Sequence, residues 1–180
     1  MKKITFLFLF FYSFQLQAQE QLSSSKGVIH FEASVPLFEE VKATNQEVNC
    51  EVELKTSEIN CTVFIEKFQF KRDLMRMHFN NSYLESDRYP KATFMGRIDK
   101  LDYKSLSEQP TEHQIKGIIK IHGKSKAINC KALIKKVKKG MEINASFVLN
   151  TDDFNIAIPS IVASKISKQV TTTLKLTVLE

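Results

Sequence analysis

Tryptophan is absent from this chain, histidine occurs four times and cysteine three times. The histidines, His30, His78, His113 and His122, never fall within four residues of one another. A zinc site gathers several such ligands, usually at short fixed spacings, and Cys50, Cys61 and Cys130 supply no such spacing either. No G-x-S-x-G string occurs, and no cysteine stands in a local nucleophile signature. The adjacent acids Asp152 and Asp153 point apart in an extended chain and are expected to cap the short helix that follows them. These absences leave catalysis without a centre. The expectation is a protein that is not an enzyme, with no metal and no cofactor.

A concentrated basic patch is also missing. Formal net charge is +6, but the lysines are spread along the chain, with one short run at Lys135, Lys136, Lys138 and Lys139. Nucleic-acid proteins gather their charge on one face and interleave it with aromatics. The expectation is no nucleic-acid partner, and at most a transient contact with an anionic membrane surface.

What is present begins at the front. Lys2 and Lys3 precede an apolar stretch, Ile4 to Phe14, and Ala18 offers a small residue before Gln19. This is the layout of a secretory signal peptide, read as residues 1–18, with one domain over 19–180. At eleven residues, this stretch falls short of the roughly 20 that a spanning helix needs. The expected location is periplasmic or secreted. Removing 1–18 lowers the charge to +4, since two lysines and no acids go with it.

Beyond the leader, apolar and polar residues alternate with period two, the pattern of a sheet with one buried face. Eight strands are expected, at about 27–35, 47–55, 58–70, 91–101, 112–122, 125–137, 141–150 and 168–179. Two connectors, 71–85 and 152–167, look partly helical. A turn at Gly123-Lys124 would pair Ile119 with Ile128 and Gly117 with Cys130. A turn near Lys138-Lys139 would pair Ile134 with Ile143 and Ala132 with Ala145, and place Lys135 opposite Glu142. Both turns put the same residues inside. In the last strand Val170, Thr172, Leu174, Leu176 and Val178 face inward. Eight strands can hide such a face as a sandwich or as a closed barrel, and long strands with few helices favour the barrel.

The inward positions mix bulky residues with small ones, and Gly117, Cys130, Ala132 and Ala145 cluster. Either they leave an unfilled layer inside a barrel of a size that encloses one small ligand, or Phe68, Phe70 or Phe94 fills it. Few polar groups face this interior, so a ligand there would be selected by shape and apolar area. A tight turn at Lys55-Thr56 pairs Val52 with Ile59 and sets Cys50 against Cys61, where a disulfide is possible. Cys130 is expected to remain a free, buried thiol.

Residues 78–98, HFNNSYLESDRYPKATFMGRI, resemble the diagnostic stretch of the YceI-like family, the bacterial polyisoprenoid-binding proteins. The resemblance continues at Gly117 to Gly123 (GIIKIHG), at Phe147 to Pro159 (FVLNTDDFNIAIP) and in the last strand, covering about residues 27–180. It implies an all-β fold, an eight-stranded antiparallel lipocalin-like barrel with one or two short helical connectors. It also implies an exported protein holding a long apolar, isoprenoid-type lipid. In FIEKFQFKRDLMRMHF only Arg72, Asp73 and Leu74 match the family's pattern for that region, so the resemblance does not extend to the ligand's headgroup. The expected lipid-binding wall is Phe68, Phe70, Phe94, Gly117, Ile119, Cys130, Ala132, Ala145, Phe147 and Leu174, and the expected mouth is Leu74, Met75 and Phe79. The alternative is a closed-core barrel that binds a partner and no ligand.

Overall fold

Residues that alternate in character every second position must form sheet if one face is to leave water, and here they do so along almost the whole chain. The computed structural model describes residues 21–180. The leader expected at 1–18 and the cut before Gln19 lie outside them. The long strands are β1 (Gln21–Ser34), β2 (Lys42–Glu53), β3 (Glu58–Phe64), β5 (Lys91–Ile98), β6 (Thr111–Ile121), β7 (Lys124–Val137), β8 (Gly140–Asn150) and β9 (Ile166–Leu179). All pairings are antiparallel, in the order β1-β9-β8-β7-β6-β5-β3-β2, and β2 pairs back onto β1. The sheet therefore closes into an eight-stranded barrel, and the sandwich is excluded.

Three sequence expectations need correction. Strands β1 and β2 begin six and five residues earlier than the alternation suggested; a run of three serines hides the inward Leu22 and Lys26 breaks the rhythm. The strand expected over 58–70 is interrupted. It bends into a 3-10 turn at Ile65–Lys67 and resumes as the two-residue β4, Gln69–Phe70, against Ala43 and Thr44 of β2. Fully buried Asn45 sits at the break, donating from Nδ2 to the Phe64 carbonyl at 2.9 Å and accepting from the Glu47 amide at 2.8 Å. A buried backbone carbonyl without a ladder partner is costly, and the amide repairs it. Third, the β6–β7 turn is His122-Gly123, both at positive φ (48° and 73°), which is the backbone that tight hairpins favour. Ile121 then opposes Lys124, Gly117 opposes Ile128 and Ile115 opposes Cys130. The expected register is off by two residues, which leaves every side chain on its expected face.

The β7–β8 register stands as read: Ile134 opposes Ile143, Ala132 opposes Ala145, and Lys135 opposes Glu142 with their charged groups 3.4 Å apart. The first connector contains one short helix, α1 (Asp73–His78), which widens into a π turn over Phe79–Tyr83. The second holds only 3-10 turns, Thr151–Phe154 and Ser160–Val162. Asn150, not the acidic pair, caps the first of these, accepting from the Asp152 amide at 3.0 Å. Asp152 and Asp153 instead pair with Lys168 and Lys126.

The barrel's two halves differ. Many of the most deeply buried side chains, Leu22, Val52, Ile98, Ile134, Met141 and Val178, come from the start of β1, the ends of β2, β5, β7 and β9, and the start of β8. All of these meet at one end, where they form a plug. The β1–β2 and β8–β9 connections and the helical connector lie at the other end.

Candidate functional site

Above the plug the interior opens into a cavity of about 490 Å³, within the range of small-molecule sites. Its floor is Val48, Ile59, Ile115 and Ala145; its walls carry Ile29, Phe31, Phe94, Ile119, Cys130 and Phe147. The charged lining residues, Glu39, Arg72 and Lys165, stand on the connections at the open end, as does His78. Apolar wall and charged rim divide the site into a dry interior and a wet mouth.

Four phenylalanines hold one side of that mouth. Phe31 of β1 stacks on Phe79 of the π turn at 5.4 Å, and meets Phe68 at 5.4 Å and Phe70 at 5.9 Å. Phe79 also contacts Phe70 and Phe68, at 5.0 and 5.5 Å. Such ring pairs add to their area burial, and here they tie the connector to the barrel. A second tie lies at the β6–β7 turn, where His122 Nε2 is 2.6 Å from Glu85 Oε2 and Nδ1 is 3.1 Å from the Phe154 carbonyl. A third is the Arg72–Glu39 ion pair, 2.6 Å long, between the β1–β2 loop and the residue before α1.

Of the expected wall, Phe68, Phe70, Phe94, Ile119, Cys130, Ala145, Phe147 and Leu174 line the cavity, as do Leu74, Met75 and Phe79 of the expected mouth. Gly117 and Ala132 do not. Gly117 lies directly opposite Gly96, and Phe94 Cζ covers both, so that a Cβ on Gly117 would sit 2.6 Å from that atom and 2.6 Å from Gly96 Cα. The suspected gap is filled by a neighbouring aromatic ring. Ala132, 2% exposed, belongs to the plug. The sequence reading missed Phe31, although the alternation Ile29-Phe31-Ala33 marks it as inward. It also missed Phe154, 1% exposed, which sits in an irregular segment where no period marks a face.

Cys50 and Cys61 are directly opposed on β2 and β3 and are joined by a disulfide, with Cα atoms 4.1 Å apart. Cys130 is a free thiol as expected but only half-buried, not fully so, and that burial raises its pKa above the ordinary value for cysteine. The histidines stay apart: His30 meets Thr44, His113 meets Thr111 and the Asp99 carbonyl, and His122 is engaged as above. Among the described residues no three metal-ligating side chains converge, and no helix is long and apolar enough to cross a membrane.

Solved structures share this architecture. A polyisoprenoid binding domain from Saccharophagus degradans, implicated in plant cell wall breakdown, superposes with a TM-score of 0.77 at 12% identity, over 88% of this chain and 97% of its own. Burkholderia cenocepacia BcnA gives 0.70 at 12% identity, over 86% and 97%. A Campylobacter jejuni YceI protein gives 0.56 at 18% identity, over 100% and 99%. No curated protein sequence is significantly similar to the chain. The family model for the YceI-like domain matches residues 21–178, nearly the whole described barrel, and the chain belongs to the YceI-like family.

Proposed function

We propose that this protein takes the hydrocarbon tail of a long apolar lipid, of isoprenoid type, into the open half of its barrel. It acts by sequestration, with no covalent step. The observation that carries this reading is the division of the interior: a packed plug at one end, an apolar cavity open at the other, and charge only at its rim. Each methylene moved from water into such a space contributes about 0.8 kcal/mol, so a long tail binds tightly without specific polar contacts. Met75 and the phenylalanine cluster suit a flexible tail, since a thioether chain and aromatic faces adapt to irregular shapes. The name of the Saccharophagus degradans domain supports an isoprenoid. The basic and apolar layout of residues 2–18 supports action outside the cytoplasm, in the periplasm or beyond.

Native mass spectrometry of protein purified without detergent tests the reading. A stoichiometric adduct that extracts into organic solvent as a prenyl or other long-chain lipid is the expected result. Ala145→Phe, which fills the cavity floor, is expected to lose the adduct while keeping a cooperative melt; Cys130→Phe on the neighbouring strand repeats the test from another wall. A clean protein mass that stays clean when prenyl lipids are added would overturn it.

A further inference from the structure

We propose that the mouth of the cavity docks on an anionic lipid bilayer, with Leu37, Phe38, Leu74 and Ile161 entering the membrane interface. The proposal deepens the lipid-uptake reading and rests on it for its purpose. Three segments surround the opening: the β1–β2 loop, the connector bearing α1, and the stretch before β9. Each lines the same cavity, through Phe38, through Leu74 and Met75, and through Val162 and Lys165. Each also carries a large apolar side chain turned to water. Leu37 is fully exposed, Ile161 is 83% exposed, Leu74 59% and Phe38 45%.

Single exposed apolar residues are ordinary on any surface, and Val148 on the outer barrel wall is of that kind, while Met95 and Ile118 there form one cross-strand pair on β5 and β6, away from any opening. The mouth differs in two ways. Its tips stand on separate segments around one opening, so the apolar rim runs on into the apolar interior. Leu37, moreover, holds a left-handed backbone, φ 72°, that asparagine or glycine adopts more readily. Its side chain covers nothing, so the barrel itself gives no reason for a leucine there.

Charge decides which partner fits. Residues 35–42, 71–78 and 156–168 hold six lysines and arginines and three carboxylates. All three carboxylates are already matched: Glu39 by Arg72, Glu40 by Lys42 and Asp73 by Arg76. Lys168 is matched in turn by Asp152 just outside these segments, at 3.0 Å, so the positive surplus rests on Lys71 and Lys165, which flank the apolar tips. Apolar anchors flanked by lysines are what an anionic membrane interface binds. A flat protein partner would call for a contiguous patch instead. On a bilayer, a lipid tail could pass from hydrocarbon into the cavity without crossing water.

The competing orientation is an approach by the other end, where the basic β7–β8 turn at Lys138 and Lys139 lies beside the plug. The absence of native tryptophan separates the two orientations. Ile161→Trp places a lone reporter at the mouth and Lys138→Trp places one at the plug, both at exposed positions, in chains of identical length. With vesicles of phosphatidylethanolamine and phosphatidylglycerol, Ile161→Trp emission is expected to shift to the blue while that of Lys138→Trp stays put. Vesicles of phosphatidylcholine alone are expected to give a smaller shift. The double change Leu37→Asp and Ile161→Asp is expected to weaken vesicle flotation on the order of tenfold or more, while the native mass keeps its lipid adduct. A shift at Lys138→Trp instead, equal shifts at both, or no shift at either would overturn the proposal. So would a shift at Ile161→Trp that follows protein concentration without vesicles, which would show a second copy covering the rim. If no variant carries an adduct yet Ile161→Trp still shifts, docking stands and the cargo reading falls.

Discussion

At the scale of the residue, the small side chains of this interior do two different things. Ala145 leaves room at the cavity floor, whereas Gly117 and Gly96 are small so that two strands and the ring of Phe94 can meet. Gly117→Ala should therefore be costly although the new group is one methyl. That methyl meets the Met95 carbonyl oxygen and Gly96 Cα, which are backbone and cannot swing aside. The expected loss is about 1–3 kcal/mol, read as a lower urea midpoint with an unchanged slope. The composition and facing of these positions could be read from alternation. Which neighbour fills which space could not, because the period fixes the side of the sheet and not the direction in which a ring leans.

At the scale of the element, two hairpins show how far local counting reaches. The β2–β3 hairpin follows from its turn, and counting back from Lys55-Thr56 sets Cys50 against Cys61. The bond closes a span of 11 residues, and restricting so short a loop in the unfolded chain contributes about 3 kcal/mol. Cys50→Ala with Cys61→Ala is expected to lower stability by about 2–3 kcal/mol in denaturant titration, with the barrel still closed. The β7–β8 hairpin carries a pH-dependent link. Glu142 accepts from Asn144 Nδ2 at 2.8 Å and faces Lys135, and together they hold its carboxyl below the ordinary value of 4.5. A carboxylate with a depressed folded pKa binds protons less readily folded than unfolded. Its contribution is complete above pH 4.5 and is lost as pH falls through the lower, folded value. Glu142→Gln should thus be less stable than the parent at pH 7, and the difference should shrink below pH 4.5. Melting curves taken across that range would show it. The β6–β7 hairpin marks the boundary of such counting. Period two cannot tell one register from another displaced by two residues, and only the positive φ of His122 and Gly123 places the turn.

At the scale of the molecule, the packed plug and the open cavity occupy opposite ends of one barrel. The plug buries Ile134, Met141, Ile143, Leu176 and Val178 almost completely, while the mouth is built from loops, one short helix and 3-10 turns. Local opening follows burial and hydrogen bonding. Amide hydrogen exchange is therefore expected to be slowest over Met141–Ala145 and the facing part of β9. It should be fastest in the β1–β2 loop and in residues 156–165. Loading with lipid should slow exchange at the mouth and leave the plug unchanged. Uniform protection along all eight strands, with or without cargo, would contradict this division.

The sequence by itself determined that eight long strands exist and which face of each is buried, because burying one side of a sheet imposes a period that any reader can count. The Cys50–Cys61 alignment could be counted from a turn placed at Lys55-Thr56, since a tight turn once placed fixes what it opposes. The family could be recognised from the stretch around Asp87 to Phe94. Only the tertiary structure decided that the sheet closes on itself, that Asn45 mends the break between β3 and β4, and that Phe94 fills the space over two glycines. It alone decided that the interior is plugged at one end and open at the other. Each of these depends on side chains brought together from distant parts of the chain. Their meeting is set by barrel closure and by packing volume, neither of which is written in the order of neighbours along a strand.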